Sequence, residues 1–135
     1  MVKITKNKDL EPVTLLCGGP EACTAREFLS KISDKWSILI VVILSKQKDH
    51  SARFGELQKM INGISQRMLT TTLRNLERDG LVTREVFPEV PPRVEYQLTN
   101  LGLGLIAPMK NLMDWIGMNW NTIKKSREGF DSKRK

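Results

Sequence analysis

Between Ser65 and Leu98 the apolar side chains change period, and that change restricts the fold of this chain more than any other feature. Leu69, Leu73 and Leu76 recur at helical spacing; on a wheel of about 100° per residue Leu73 and Leu76 both fall within about 40° of Leu69. After Gly80 the period drops to two, in Leu81-Val-Thr-Arg-Glu-Val-Phe87 and again in Val94-Glu-Tyr-Gln-Leu98. One amphipathic helix must therefore hand over to two half-buried strands. Ser65 supplies an N-cap and Gly80 a left-handed stop, which predicts a helix from Ser65 to Asp79. Pro88-Glu-Val-Pro-Pro-Arg93 separates the strands, and because proline cannot donate to a ladder the segment reads as a stiff hairpin tip.

The residues upstream complete the motif. Phe54, Leu57, Met60 and Ile61 predict a helix over Arg53 to Ile61, and Asn62-Gly63-Ile64 is a tight turn. Two short helices around a glycine turn make a helix-turn-helix, and the hairpin after it makes a wing. Thr24-x-x-Glu27 has the form of a capping box and predicts a first helix from Thr24 to Ile32. Ser33 or Asp34 caps a second, Lys35 to Lys46; the β-branched run within Trp36–Leu44 would also permit a strand, but its length and flanks favour a buried helix. Lys46 to Ser51 reads as a polar loop, and Thr99 opens a long helix to Lys124. The expected class is mainly α with a small β-hairpin (α+β): a winged helix-turn-helix with a long terminal dimerisation helix. It is organised as an irregular arm (1–22), one domain (23–125) and a basic tail (126–135).

The net charge of +7 suits a polyanionic partner only if it is well placed. Residues 1–23 are neutral, residues 24–98 carry 12 basic against 9 acidic side chains, and 99–135 carry 7 against 3, all of that last excess in Lys124–Lys135, which reads as a frayed tail. Net charge is thus weaker testimony than arrangement. No apolar run is long enough to span a bilayer, and no hydrophobic segment follows the N-terminal lysines, so a cytoplasmic protein without a membrane partner is expected. Cys17 and Cys23 are expected to be free thiols there. With one histidine, His50, expected to be exposed in the polar loop, no metal-ligand spacing, no phosphate loop and no convergent acid–base set exist. No metal, cofactor or catalytic activity is expected.

Opposite the leucine stripe, Arg67, Thr71, Arg74 and Arg78 cluster, with Thr70 at the edge. Guanidinium groups fit guanine edges and phosphate oxygens bidentately, and Ser65, Gln66 and Arg67 lie at the end of the helix that enters a major groove deepest. Arg84 and Arg93 in the wing and Arg53 at the head of the preceding helix complete the candidate DNA-binding set. For an isolated helix a solvated basic face would be the simpler reading; the preceding turn and following hairpin shift the balance to double-stranded DNA. Phe28 and, on the terminal helix, Met109, Leu112, Met113, Trp115, Ile116 and Trp120 form more apolar surface than so small a core absorbs. A two-fold homodimer would cover it, setting two recognition helices about 34 Å apart to read a pseudo-palindromic operator.

Together, Asp34-Lys-Trp36, Arg53-Phe-Gly-Glu-Leu57, Ile64-Ser-Gln-Arg-Met-Leu-Thr70, Leu73-Arg-Asn-Leu-Glu77, Asp79-Gly-Leu-Val-Thr-Arg84 and Pro91-Pro-Arg-Val-Glu-Tyr-Gln-Leu-Thr99 resemble the HxlR-type winged helix-turn-helix regulators, relatives of the MarR group, over about residues 23–120. The resemblance implies a homodimer held by the first and last helices, and a transcriptional role. It further implies an oxidant or electrophile sensor at Cys23, 13 residues before Trp36. A helix N-terminus with Arg26 nearby independently favours the reactive thiolate there. Ser33-Asp34 replaces the family's usual Gly-Gly, and Cys17 is an additional thiol that would pair with Cys23 within the chain or across the dimer. Two other readings stay open: a regulator whose inducer is a small apolar molecule held in the dimer cleft, and a winged-helix module that binds proteins.

Overall fold

The computed structural model describes residues 22–134. Cys17, the Gly18-Gly19-Pro20 turn and the rest of 1–21 lie outside the described residues, as does the side chain of Cys23. Helix α1 spans Ala22–Ile32. Thr24 is therefore inside the helix and not its cap, a correction to the expected start. Asp34 caps α2 (Lys35–Ser45), its carboxylate accepting from the Trp36 amide at 3.0 Å. Ile40, Val41 and Leu44 of α2 are buried, so this β-branched run is a core helix.

The expected polar loop after α2 is more ordered than its composition suggests. A single 3-10 turn, Lys48–His50, leads into a short strand β1 (Ser51–Arg53) that pairs antiparallel with the second hairpin strand. Asp49 and His50 both have φ near +55°, a left-handed conformation costly for side-chain-bearing residues. One long-range and one local contact hold it: Gln97 Nε2 donates to the Asp49 carbonyl at 2.8 Å, and His50 Nδ1 lies 3.1 Å from the Ser45 carbonyl. His50 is accordingly half-buried, not exposed.

Helix α3 (Phe54–Met60) follows at once, its start fixed by the Arg53 amide donating to Glu56 Oε1 at 2.9 Å. Gly63, at φ +87°, makes the turn to α4 (Gln66–Arg78), which Ser65 caps by accepting from the Met68 amide at 3.0 Å. Gly80, at φ +80°, ends the helix region as expected. Strands β2 (Val82–Phe87) and β3 (Arg93–Leu98) form the hairpin, and the sheet order is β1-β3-β2.

Thr99 caps a helix as expected, but that helix is interrupted. α5 (Asn100–Gly104) stops and, after the single residue Leu105, α6 (Ile106–Lys133) begins. Pro108 explains the break, because it has no N–H for the Gly104 carbonyl and its ring would collide with that carbonyl in a continuous helix. Gly102 in α5 is required by close packing: a Cβ there would strike the Leu81 carbonyl oxygen and lie 2.9 Å from Leu98 Cδ2. At the other end α6 runs through residues 124–133, expected as a frayed tail. That segment has no proline, and its basic residues at the C-terminal end complement the helix dipole.

One core joins α2, α3, α4, the sheet and the first turn of α6. Met109 belongs to it, only 9% exposed, and Phe28 packs partly against it. Met109 is thereby committed to the protomer's own core and not to the expected dimer surface, whereas Phe28 is half-buried and still lines a cleft beside the end of α4. Among the described residues no helix is long and apolar enough to cross a membrane.

Candidate nucleic-acid interface

Helix α4 divides cleanly into two sides. Leu69, Thr72, Leu73 and Leu76 are buried, and the Thr72 hydroxyl is satisfied by donating to the Met68 carbonyl at 2.8 Å. With that side seated, Gln66, Arg67, Thr70, Thr71 and Arg74 line an open concavity of about 470 Å3 on the other. Thr70 Oγ1 donates to the Gln66 carbonyl at 2.9 Å, which leaves its lone pairs outward. Ser65 is exposed at the helix head, but its hydroxyl is committed to the cap.

The wing adds a second wall. Arg84 pairs in register with Tyr96, and Val82 with Leu98, so Arg84 stands on the sheet face that continues the core outward toward α4. Arg84, Arg74, Gln66, Thr70 and Glu77 surround a cleft of about 590 Å3 floored by Phe54, Val94 and Tyr96. The rings of Phe54 and Tyr96 are 6.5 Å apart at 49°, a tilted pair that stiffens the floor. Among the described residues Arg67, Arg74 and Arg84 enter no ion pair. Three uncompensated guanidinium groups at the rim of a shaped groove suit an extended polyanion.

Arg93 behaves differently. Its guanidinium lies 3.2 Å from Glu89 Oε2 and 3.4 Å from Glu95 Oε2, and sits 3.9 Å over the Phe87 ring. Nε is buried and not aligned for a hydrogen bond. Arg93 thus fastens the wing, and the structure does not bring it to the α4 groove as a free cation. Arg53 is exposed at the β1–α3 junction and lines a smaller cleft with the wing loop; it borders neither α4 concavity. Phe54 and Tyr96 as groove floor, and Glu77 on its rim, were not selected from sequence. The alternation that buries Tyr96 beside Arg84 held the signal, but only once the register of the two strands is known.

Comparison with known proteins agrees with this architecture. The HxlR-like helix-turn-helix family matches residues 31–124. The HTH-type transcriptional regulator YtfH of Escherichia coli (strain K12) is 40% identical over 99 residues, covering 73% of this chain and 76% of that protein. The solved structure of the transcriptional regulator ytfH from Salmonella typhimurium superposes with a TM-score of 0.67 at 38% identity, covering 77% of this chain and 90% of that one. The redox regulator HypR in its reduced form superposes with a TM-score of 0.61 at 35% identity, covering 76% and 98%. This chain is a helix-turn-helix transcriptional regulator and belongs to the HxlR-like helix-turn-helix family.

Proposed function

We propose that the protein is a homodimer that binds a pseudo-palindromic double-stranded DNA site through α4 and the wing, and that modification of Cys23 switches this binding. The observation that carries the DNA reading is the α4 groove: Arg67, Arg74 and Arg84 are exposed and enter no ion pair among the described residues, while the helix that carries two of them is anchored by buried leucines. Arg67 and Gln66 at the head of α4 read base edges; Arg74 and Arg84 hold phosphates on either side. The apolar surface of α6 supports a dimer: Leu112 is 54% exposed and Trp115 56%, more than a lone protomer of this size would leave in water.

Two observations support the thiol switch. HypR, whose structure is similar, is a redox regulator. Cys23 lies on α1, as its second described residue. The same helix reaches the recognition element. Thr24, Ala25, Phe28 and Lys31 face Arg78 and Asp79, at the C-terminal end of α4, across a cleft of about 520 Å3. A displacement of α1 would therefore be felt by α4. The test is a mobility shift on a duplex selected by the protein from a random pool, before and after diamide. Retardation lost or altered by diamide and restored by thiol supports the whole reading. Specific retardation indifferent to diamide removes the switch, and no specific retardation removes DNA binding.

A further inference from the structure

Helix α4 holds three consecutive threonines, Thr70-Thr71-Thr72, and the fold treats each differently. Thr72 is buried, and its hydroxyl donates to the Met68 carbonyl at 2.8 Å. Thr71 is exposed, and among the described residues its hydroxyl enters no hydrogen bond. Thr70 is exposed as well, yet its hydroxyl is turned back on the helix and donates to the Gln66 carbonyl at 2.9 Å. A hydroxyl bonded to the carbonyl one turn back fixes χ1 of a β-branched side chain. Beyond Cβ, threonine has only two heavy atoms, Oγ1 and the methyl Cγ2. With Oγ1 tied to its own backbone, Cγ2 is the group that Thr70 offers to a partner in the groove.

The position of Thr70 frames that methyl. Gln66 stands one turn before it and Arg74 one turn after, and all three line both concavities beside α4. Thr70 is the short side chain between two long ones, so the row holds an apolar notch walled by polar groups.

We propose that Thr70 selects thymine: its Cγ2 packs on the C5-methyl of one thymine in each half-site, while its hydroxyl stays on the helix. The proposal deepens the DNA reading above and rests on it. The C5-methyl of thymine is the apolar group that base pairs present in the major groove, which makes it the match for an apolar notch. The neighbours fit the same placement, Gln66 being suited to an adenine edge and Arg74 to a phosphate. Helix formation does not account for the residue. Alanine would suit an exposed helix position better, and serine would make the same bond to Gln66; what threonine adds is the methyl.

Uracil tests this contact, because it pairs as thymine does and lacks only the C5-methyl. The duplex selected from a random pool is remade with uracil at each thymine position in turn, changed symmetrically in both half-sites. Binding of the reduced protein is followed by fluorescence anisotropy at fixed salt. One position should show a loss of about 4-fold per half-site, or roughly 15-fold for the pair, the amount that one buried methyl group supplies at each. Thr70→Ser keeps the bond to the Gln66 carbonyl and removes the methyl, so that variant should bind the thymine and uracil duplexes alike. Thr70→Val keeps a methyl and removes the hydroxyl, so the loss on uracil should persist. Three results overturn the proposal: no thymine position sensitive to uracil, a loss that survives in Thr70→Ser, or a loss that disappears in Thr70→Val. In each of these the preference for the selected duplex over random DNA is retained and the DNA reading stands. Equal binding to selected and random duplexes removes DNA binding, and this contact with it.

Discussion

Arg84 and Arg93 are both wing arginines, and their surroundings give them opposite tasks. Arg93 is spent on Glu89, Glu95 and Phe87, whereas Arg84 enters no ion pair among the described residues and stands beside Arg74. In the sequence the two are indistinguishable, because the pairing of Arg93 depends on where β2 and β3 align. In the proposed DNA complex Arg67 is the residue that would read a base. Arg67→Ala should cost about 1–3 kcal/mol on the selected duplex and much less on random DNA, measured by fluorescence anisotropy at fixed salt. Equal losses on both would make it a phosphate contact. Gly102 carries a different constraint. Gly102→Ala drives a methyl group into the Leu81 carbonyl and should destabilise the fold by about 1–3 kcal/mol, read as a lowered urea midpoint with unchanged slope.

At the scale of elements, α4 was the most legible part of the chain, since its cap, leucine stripe and glycine stop are all local signals. Ser65→Ala should remove about 1 kcal/mol of stability by orphaning the Met68 amide, and Ser65→Asp should restore it, again by urea unfolding. An unchanged midpoint in Ser65→Ala would mean that the cap contributes nothing. The elements that escaped sequence reading depend on distant partners or on one steric effect. β1 is three residues long and exists because β3 offers it an edge. The α5–α6 break comes from Pro108 acting one turn back. The extension of α6 to Lys133 was hidden by its charge, which reads as a tail until its spacing is compared with the apolar stripe before it. The groove itself was half legible: its α4 wall lies on one helix wheel, while Phe54, Tyr96 and Arg84 meet only through the sheet.

For the whole molecule, the proposed thiol switch would reach the proposed DNA-binding helix through α1, which carries Cys23 at one end of its described length and faces the end of α4 along its side. Cys23→Ser should leave the DNA affinity of reduced protein within about two-fold, because the change is local and nearly isosteric, yet abolish the response to diamide or a quinone. An undiminished response in that variant would move the sensor elsewhere.

The most direct measurement of the central claim is the salt dependence of binding to the selected duplex and to its scrambled counterpart, for the parent protein and for Arg74→Ala and Arg84→Ala. The α4 groove requires tighter binding to the selected duplex, affinity falling linearly in log K against log salt, and a slope reduced by about one in each variant. Equal affinity for the two duplexes, or slopes that neither substitution changes, would contradict it.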